Sequence, residues 1–123
     1  LKKTVEYSKT RKQFGTVIGT FQALQHRMAD MFIECQLARS IVVMAAMQLD
    51  SSADELEKTK AVSAAKSRGG RAIRHVGQES IQIHGGIGMT DELDVGHLFK
   101  RVTAIDIMFG NADYHTERFA SFQ

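Results

Sequence analysis

The chain has 123 residues, a net charge of +2 and 43% hydrophobic residues. That length and composition suit one domain with a buried core, and the small, dispersed positive charge excludes a nucleic-acid-binding surface. There is no proline among the residues and there are ten glycines. A chain without proline can form long helices, because proline removes a helical hydrogen bond and forces a kink.

Cysteine and histidine usage narrows the function classes further. The single cysteine, Cys35, excludes an internal disulfide and favours a reducing compartment, so we expect a cytoplasmic protein. No stretch is interpreted as long and apolar enough to cross a bilayer, so no membrane span is predicted. No metal site is predicted, because the histidines lack ligand spacing and are expected to be partly exposed. They are His26, His75, His84, His97 and His115.

The first two predicted helices differ in character. A charged helix runs from about Leu1 to Lys12, and a loop bracketed by Gly15 and Gly19 follows it. The next helix carries apolar residues at alternating spacings of three and four, which is typical of a long bundle helix. These residues are Phe21, Leu24, Met28, Met31, Cys35, Ala38, Val42, Ala45 and Leu49.

A short turn and a third helix follow. Ser52 and Glu55 have the spacing of a capping box, which starts a helix from about Ala53 to Ile83. The short connection predicts that helices two and three are antiparallel neighbours. Small residues on one face of helix three favour a close approach of another helix axis. They are Ala61, Ala65, Gly69, Ala72 and Val76, whereas the basic residues of this helix are interpreted as a solvated face.

The third helix is predicted to end at a glycine pair. Gly85 and Gly86 follow its last turn, where glycine commonly ends a helix. Thr90 or Asp91 is then predicted to cap a short helix that continues to about Arg101.

The C-terminal part is predicted as a link and a last helix. Residues Ala104 to Phe109 fit both an alternating and a helical pattern, and we interpret them as an extended link. Asn111 is a good N-cap for a last helix to about Phe122. The prediction for residues 1–123 is therefore a single all-α domain, an up-and-down four-helix bundle. Because the chain does not begin with Met, we also expect a fragment of a longer protein.

Two short motifs stand out from this helical background. The run Arg11–Gly15 and the run Gln82–Met89 lie about seventy residues apart. The glycines of the second run could bring backbone N–H groups close to a phosphate, although a helix-ending turn is favoured. Arg11 could likewise stabilise a helix end or bind a phosphate. The residues alone indicate a helical bundle and leave its chemistry open.

Read together, these motifs resemble a known family. Tyr7, the run Arg11–Gly15, the pair Phe21-Gln22 and the run Gln82–Gly88 look like successive landmarks of the C-terminal domain of flavin-dependent acyl-CoA dehydrogenases. Their order and intervals match over nearly the whole chain. The resemblance implies roughly the last third of a longer flavoprotein, after an N-terminal helical domain and a middle β-domain.

The resemblance implies a function, a cofactor and partners. The whole protein would use FAD to dehydrogenate an acyl-CoA thioester between its α and β carbons. Electrons would pass to an electron-transfer flavoprotein, and the protein would be a homo- or hetero-oligomer, either a dimer or a tetramer. The isolated fragment would be inactive.

The resemblance also implies FAD contacts for nine residues. Arg11 would contact the diphosphate, Phe14 would pack on the dinucleotide, and Gln22 would lie near the adenosine portion. Asn111 and Asp113 match FAD-lining positions, but the usual residues there are Thr and Gln. The remaining four would approach the cofactor from a neighbouring subunit. They are Gln82, Ile83, Gly85 and Gly86.

One position departs from the family pattern. Phe109 occupies the place where many members carry the glutamate that removes the α-proton. Phenylalanine cannot accept a proton, so we assign no catalytic residue in this chain. The base could come from a preceding part of the protein. Alternatively, the chain is a non-catalytic subunit that completes an FAD site, since Met108–Asp113 looks similar to such small subunits. A related flavin monooxygenase, which needs no such carboxylate, is the third alternative.

Overall fold

Two long antiparallel helices form the centre of the fold. A computed structural model describes residues 1–122, in which α2 spans Gln22–Asp50 and α3 spans Glu55–His84. Arg27 near the start of α2 pairs with Glu79 near the end of α3. Farther along α2, Glu34 pairs with Arg68 at an earlier position of α3. The two helices therefore run in opposite directions, as predicted.

Three shorter helices pack around this pair. They are α1 (Lys2–Thr10), α4 (Val95–Ile107) and α5 (Ala112–Ala120). Helices α1 to α4 together line a cavity of about 530 Å³, and α5 packs against α3. The predicted all-α class and up-and-down four-helix bundle are confirmed.

The apolar stripe predicted for α2 is buried only in part. Met31 is fully buried and packs with Ile18 and Ile83 in the core, and Ala45 is also buried. Other stripe residues are exposed, so α2 buries one narrow face against α3 and leaves a second apolar face uncovered in this chain. The exposed apolar side chains of α2 include Phe32, Ile33, Leu37, Val42, Val43, Met44, Met47 and Leu49.

Helix α2 bears on the prediction that no stretch could cross a membrane. By length and composition alone, Gln22–Asp50 is long and apolar enough to do so, and the interpretation that no stretch has that length and hydropathy was wrong. One such helix is weak evidence for a membrane span, because helices packed inside water-soluble folds pass the same test. In this structure one face of α2 instead packs on α3, where Arg27 and Glu34 form ion pairs with Glu79 and Arg68.

The predicted caps of two helices were wrong. Asp54 rather than Ser52 caps α3, and its Oδ1 accepts the Glu57 N–H at 2.8 Å. Thr90 donates its hydroxyl to the Ile87 carbonyl, so it closes a 3₁₀ turn over Gly85–Met89 instead of capping α4. At α3, Ser52 and Asp54 compete for the cap position and Asp54 takes it, whereas α4 begins after Asp94 without a side-chain cap hydrogen bond.

The extended link predicted for residues 104–109 was also wrong. Helix α4 continues to Ile107, because Val95, Phe99, Val102 and Asp106 recur at helical spacing and face the core or α3. The predicted N-cap of the last helix is confirmed. Asn111 Oδ1 accepts the backbone N–H of Tyr114 at 2.9 Å.

Three arginines of α3 connect it to neighbouring helices instead of only facing solvent. Arg68 binds both carboxylate oxygens of Glu34 on α2. Arg74 donates to Asp106 on α4 at 2.9 Å, and Arg71 donates to Thr116 on α5 at 3.1 Å. The interpretation of these arginines as a merely solvated face was therefore wrong, whereas Lys60 pairs with Glu57 within α3.

These pairs predict a specific loss of stability in acid. The pKa of Glu34 is lowered chiefly by its hydrogen bond with Arg68, and that of Glu79 by its bond with Arg27, while burial opposes both shifts. A carboxylate whose folded pKa is depressed stabilises the fold fully above its unfolded pKa, near 4.3, and less as pH falls through the folded value. We therefore expect the thermal unfolding midpoint to fall as pH drops below about 4.5.

The matched variants are Glu34→Gln and Glu55→Gln. The first removes an interhelical pair and should flatten the acid dependence measured by circular dichroism. The second alters a carboxylate that is 93% exposed and 3.8 Å from Lys58 on the same helix. Equal acid profiles for the two variants would contradict the assignment of this acid sensitivity to the α2–α3 pairs.

Candidate functional site

A short β-hairpin with a two-residue turn replaces the predicted loop after α1. Its strands are β1 (Lys12–Gln13) and β2 (Thr16–Val17), paired antiparallel. Phe14 and Gly15 form the turn, with φ values of 54° and 80°. Positive φ at both central residues is the geometry that suits the twist of a tight hairpin.

Phe14 at the hairpin tip is both strained and exposed. A left-handed backbone conformation costs a residue other than glycine about 1–2 kcal/mol, and the Phe14 side chain is 91% exposed. Its ring meets that of Phe21 edge-on, with the centroids 6.2 Å apart. An exposed aromatic ring held on strained backbone indicates a binding role, because burial within this chain does not explain it.

Arg11 lies at the base of the same hairpin. Its backbone N–H donates to the Tyr7 carbonyl, and its own carbonyl accepts from Ile18, which fixes where the side chain begins. The guanidinium is exposed and makes no ion pair with any residue in the range 1–122. Gln22 is exposed nearby, as the first residue of α2.

The second motif forms the corner where α3 ends. Gly85 has a φ of 65° and ends α3, as predicted. A Cβ placed on Gly85 or on Gly86 would meet no atom within 4 Å, so the backbone there is open to a ligand. Gln82 is exposed beside it, whereas the Ile83 side chain is only 6% exposed and packs in the core. Only the backbone of Ile83 could therefore approach a cofactor.

A buried contact ties the hairpin base to the glycine corner. The His84 ring stacks on Tyr7 of α1 with the centroids 4.4 Å apart, and the Tyr7 hydroxyl donates to the His84 carbonyl at 3.3 Å. His84 Nδ1 donates to the Ser80 carbonyl at 2.7 Å. Ile18 after the hairpin also packs with Ile83 in the core. The structure therefore brings the two sequence motifs together at one end of the bundle.

The remaining predicted residues lie in a separate cluster. Asn111 and Asp113 sit at the start of α5, which packs against α3 near Gly70. Gly70 and His84 are fourteen positions apart on α3, a rise of about 21 Å along the helix. Asn111 and Asp113 thus do not share a contact surface with the hairpin and the glycine corner within one chain.

Phe109 immediately precedes this second cluster and resembles Phe14. It has a φ of 59°, and its side chain is 89% exposed. The acidic residue that precedes Phe109 on α4 is Asp106. It is buried, paired with Arg74 and packed against Gly70. Asp106 is therefore not free to replace the carboxylate that is missing at Phe109.

Two buried histidines were missed by the sequence interpretation, which expected partial exposure. His84 and His115 are 5% and 4% exposed. Each bonds a carbonyl near a motif: His84 that of Ser80, and His115 that of Phe109. Their positions in the sequence could have indicated burial beside a motif. His84 directly precedes the glycine pair, and His115 lies four residues after the predicted cap Asn111.

Comparisons with known proteins decide the family. A family model described as acyl-CoA dehydrogenase, C-terminal domain, matches residues 1–122. This chain belongs to the acyl-CoA dehydrogenase family. The resemblance inferred from Tyr7, Arg11–Gly15 and Gln82–Gly88 is thereby confirmed, and the helical bundle corresponds to the C-terminal domain of this family.

The similar proteins extend well beyond this domain. Acyl-CoA dehydrogenase IpdE2 of Mycolicibacterium smegmatis is 43% identical over 100 residues, which cover 80% of this chain and 29% of the relative. The crystal structure of an FAD-dependent dehydrogenase matches with 32% identity and a TM-score of 0.89, over 98% of this chain and 32% of that one. The ChsE4-ChsE5 complex from Mycobacterium tuberculosis matches with 27% identity and a TM-score of 0.90, over the same shares. The chain thus spans about three tenths of the acyl-CoA dehydrogenase relatives it matches.

Proposed function

We propose that this chain is part of an FAD-dependent acyl-CoA dehydrogenase that oxidises an acyl-CoA thioester to its α,β-unsaturated form. The observation that carries the proposal is the joining of Arg11 and the Phe14 hairpin to the open backbone at Gly85 and Gly86. FAD would supply the hydride acceptor, and an electron-transfer flavoprotein would accept the electrons. A cytoplasmic location accords with the unpaired Cys35.

The residues at the bundle end suit the chemistry of a dinucleotide. Arg11 offers a free planar guanidinium, which bonds phosphate oxygens in bidentate fashion. The backbone at Gly85 and Gly86 is unobstructed, as close approach to a ligand requires. Phe14 offers an exposed flat ring for a nucleotide portion. Gln22 and Gln82 would add exposed amide groups.

The separation of the two clusters supports a cofactor site shared between protomers. The hairpin and glycine corner of one protomer would hold FAD together with the Asn111–Asp113 segment of another. The exposed apolar face of α2 supports an oligomer as well, because exposed patches of this kind commonly mark protein interfaces. A homodimer, a homotetramer or a hetero-oligomer would each complete the site.

Phe109 favours a second candidate, a non-catalytic subunit of a hetero-oligomeric dehydrogenase. Its exposed ring stands at the position of the usual glutamate, and the neighbouring acid Asp106 is already paired. One solved relative is a complex of two differently named chains. Under this alternative, the chain completes an FAD site whose base belongs to the partner.

Co-expression separates the candidates. The full-length protein is purified alone and with each product of the neighbouring genes, and bound FAD and acyl-CoA oxidation are measured. Activity of the full-length protein alone supports the complete dehydrogenase and contradicts the subunit alternative. FAD and activity that appear only with a partner support the subunit. Oxygen-dependent turnover of a substrate that is not a thioester would favour a flavin monooxygenase.

A substitution at Phe109 tests the missing base directly. Phe109→Glu places a carboxylate on an exposed, left-handed position, and we expect acyl-CoA oxidation to rise by about a hundredfold or more, the usual contribution of general base catalysis. Phe109→Gln is the matched control, because it has similar size and polarity but cannot take up a proton. Equal rates for the two variants, with acyl-CoA binding intact, would contradict a substrate position beside Phe109.

A further inference from the structure

The loop at Phe109 is held by a buried histidine. His115 on α5 is 4% exposed, and its Nε2 lies 2.9 Å from the carbonyl oxygen of Phe109. A carbonyl oxygen only accepts hydrogen bonds, so Nε2 carries the proton and donates it. The other ring nitrogen, Nδ1, is buried and has no hydrogen-bond partner among residues 1–122. Within that range, the ring of His115 therefore makes its hydrogen bond to the Phe109 carbonyl alone.

The surroundings of this bond fix an uncommon backbone. Phe109 and Gly110 have φ values of 59° and 96°. A Cβ on Gly110 would collide with the Tyr114 ring and lie 3.1 Å from His115 Nε2. The Tyr114 and His115 rings stand edge-on, with their centroids 5.1 Å apart. Both rings close over the loop only because residue 110 lacks a side chain.

We infer that His115 is a positioning residue that sets the start of α5 for cofactor binding. The inference rests on the proposed function, in which Asn111 and Asp113 line the FAD site. Asn111 Oδ1 is engaged by the Tyr114 N–H, so its Nδ2 is the group left to donate to a ligand. Without the donor of His115, Phe109 can return to the right-handed region that its side chain favours. That change turns the following peptide and displaces Asn111.

The test compares two amides of different reach in the full-length protein, purified with any partner it needs. In His115→Gln, the amide nitrogen reaches about as far as the native Nε2, whereas in His115→Asn it reaches only as far as Nδ1. FAD is titrated into the apoprotein, and the dissociation constant is read from flavin fluorescence. We expect the wild type and the Gln variant to agree, and the Asn variant to bind about five- to tenfold more weakly, the effect of one hydrogen bond.

Two further measurements keep the result decisive. Amide hydrogen exchange of residues 108–116 in the apoprotein should be faster in the Asn variant than in the Gln variant, which reports on the loop without flavin. His115→Phe keeps a ring without a donor and should match the Asn variant, so it serves if the Asn variant fails to fold.

The outcomes separate the inference from the proposed function. Equal FAD affinity and equal exchange for the Gln and Asn variants would overturn the role of His115. Affinity losses that merely follow the unfolding temperature of the apoprotein would also overturn it, because they indicate a general structural effect. A wild type that binds no FAD would overturn the proposed function and with it the role of His115 in cofactor binding. In that case hydrogen exchange still decides whether His115 holds the loop.

Discussion

Gly70→Ala is expected to destabilise the domain by about 1–3 kcal/mol, whereas Gly69→Ala should stabilise it by about 0.5–1 kcal/mol. A Cβ on Gly70 would overlap the Asp106 carboxylate and lie 3.0 Å from the Cβ of Ala112. A Cβ on Gly69 would meet no atom within 4 Å, so only the gain in helix propensity remains. Adjacent residues of one helix should therefore respond with opposite signs.

The Asp106 side chain cannot easily move away from a new methyl group. Its Oδ2 accepts from Arg74 at 2.9 Å, and its backbone carbonyl accepts from Lys66 at 3.2 Å. Ala112, the first residue of α5, is fully buried on the other side. Gly70 thus marks the point where α3, α4 and α5 meet, and a Cβ there would press against two neighbouring helices at once.

Thermal unfolding of the full-length protein measures both variants. Because a multidomain protein need not unfold in one step, amide hydrogen exchange in α3, α4 and α5 should accompany the unfolding curve. Faster exchange at these helices in Gly70→Ala, with unchanged or slower exchange in Gly69→Ala, is the expected result. Shifts of the same sign in both variants would show that the close approach at Gly70 is absent.

The sequence predicted a small face of α3 that includes Gly69, and the structure places the close approach at the adjacent Gly70. Helical spacing identifies a face, and it placed Gly69 there together with Ala61 and Ala72. Which glycine lies under a neighbour depends on where Asp106 of α4 reaches α3, and no local pattern encodes that. The long helices were predictable because their apolar periodicity extends over many turns. The cap of α3 was not, because Ser52 and Asp54 are both suitable capping residues near its start.

The candidate site was predictable as a set of motifs but not as a surface. The spacing of Arg11 and Gly85 says nothing about their proximity, which depends on the stacking of Tyr7 against His84. The same packing hides the Ile83 side chain in the core. Burial of the two histidines escaped prediction because their partners are backbone carbonyls, which are present at every residue and leave no signature in the sequence.

Arg11→Ala is expected to weaken FAD binding by about ten- to a hundredfold, the loss of a charge-assisted hydrogen bond worth about 1.5–3 kcal/mol. The guanidinium is exposed and has no ion pair within residues 1–122, so its removal should leave the unfolding temperature of the apoprotein unchanged. FAD affinity is measured by fluorescence titration of the full-length apoprotein. Lys12→Ala is the matched control, because Lys12 is the next residue, is also exposed, and keeps its strand pairing as alanine.

Arg11→Lys then distinguishes charge from geometry. Lysine keeps the positive charge but loses the planar fork that bonds two phosphate oxygens together, so we expect an affinity between those of the wild type and Arg11→Ala. Raising the salt concentration should narrow the gap between the Lys and Ala variants, since screening weakens a point charge in solvent. Equal losses for Lys12→Ala and Arg11→Ala would mean that the hairpin attracts the cofactor only through its overall charge. A specific contact between Arg11 and the diphosphate predicts that removing the Lys12 side chain leaves FAD affinity unchanged. Equal losses would therefore place the diphosphate away from Arg11.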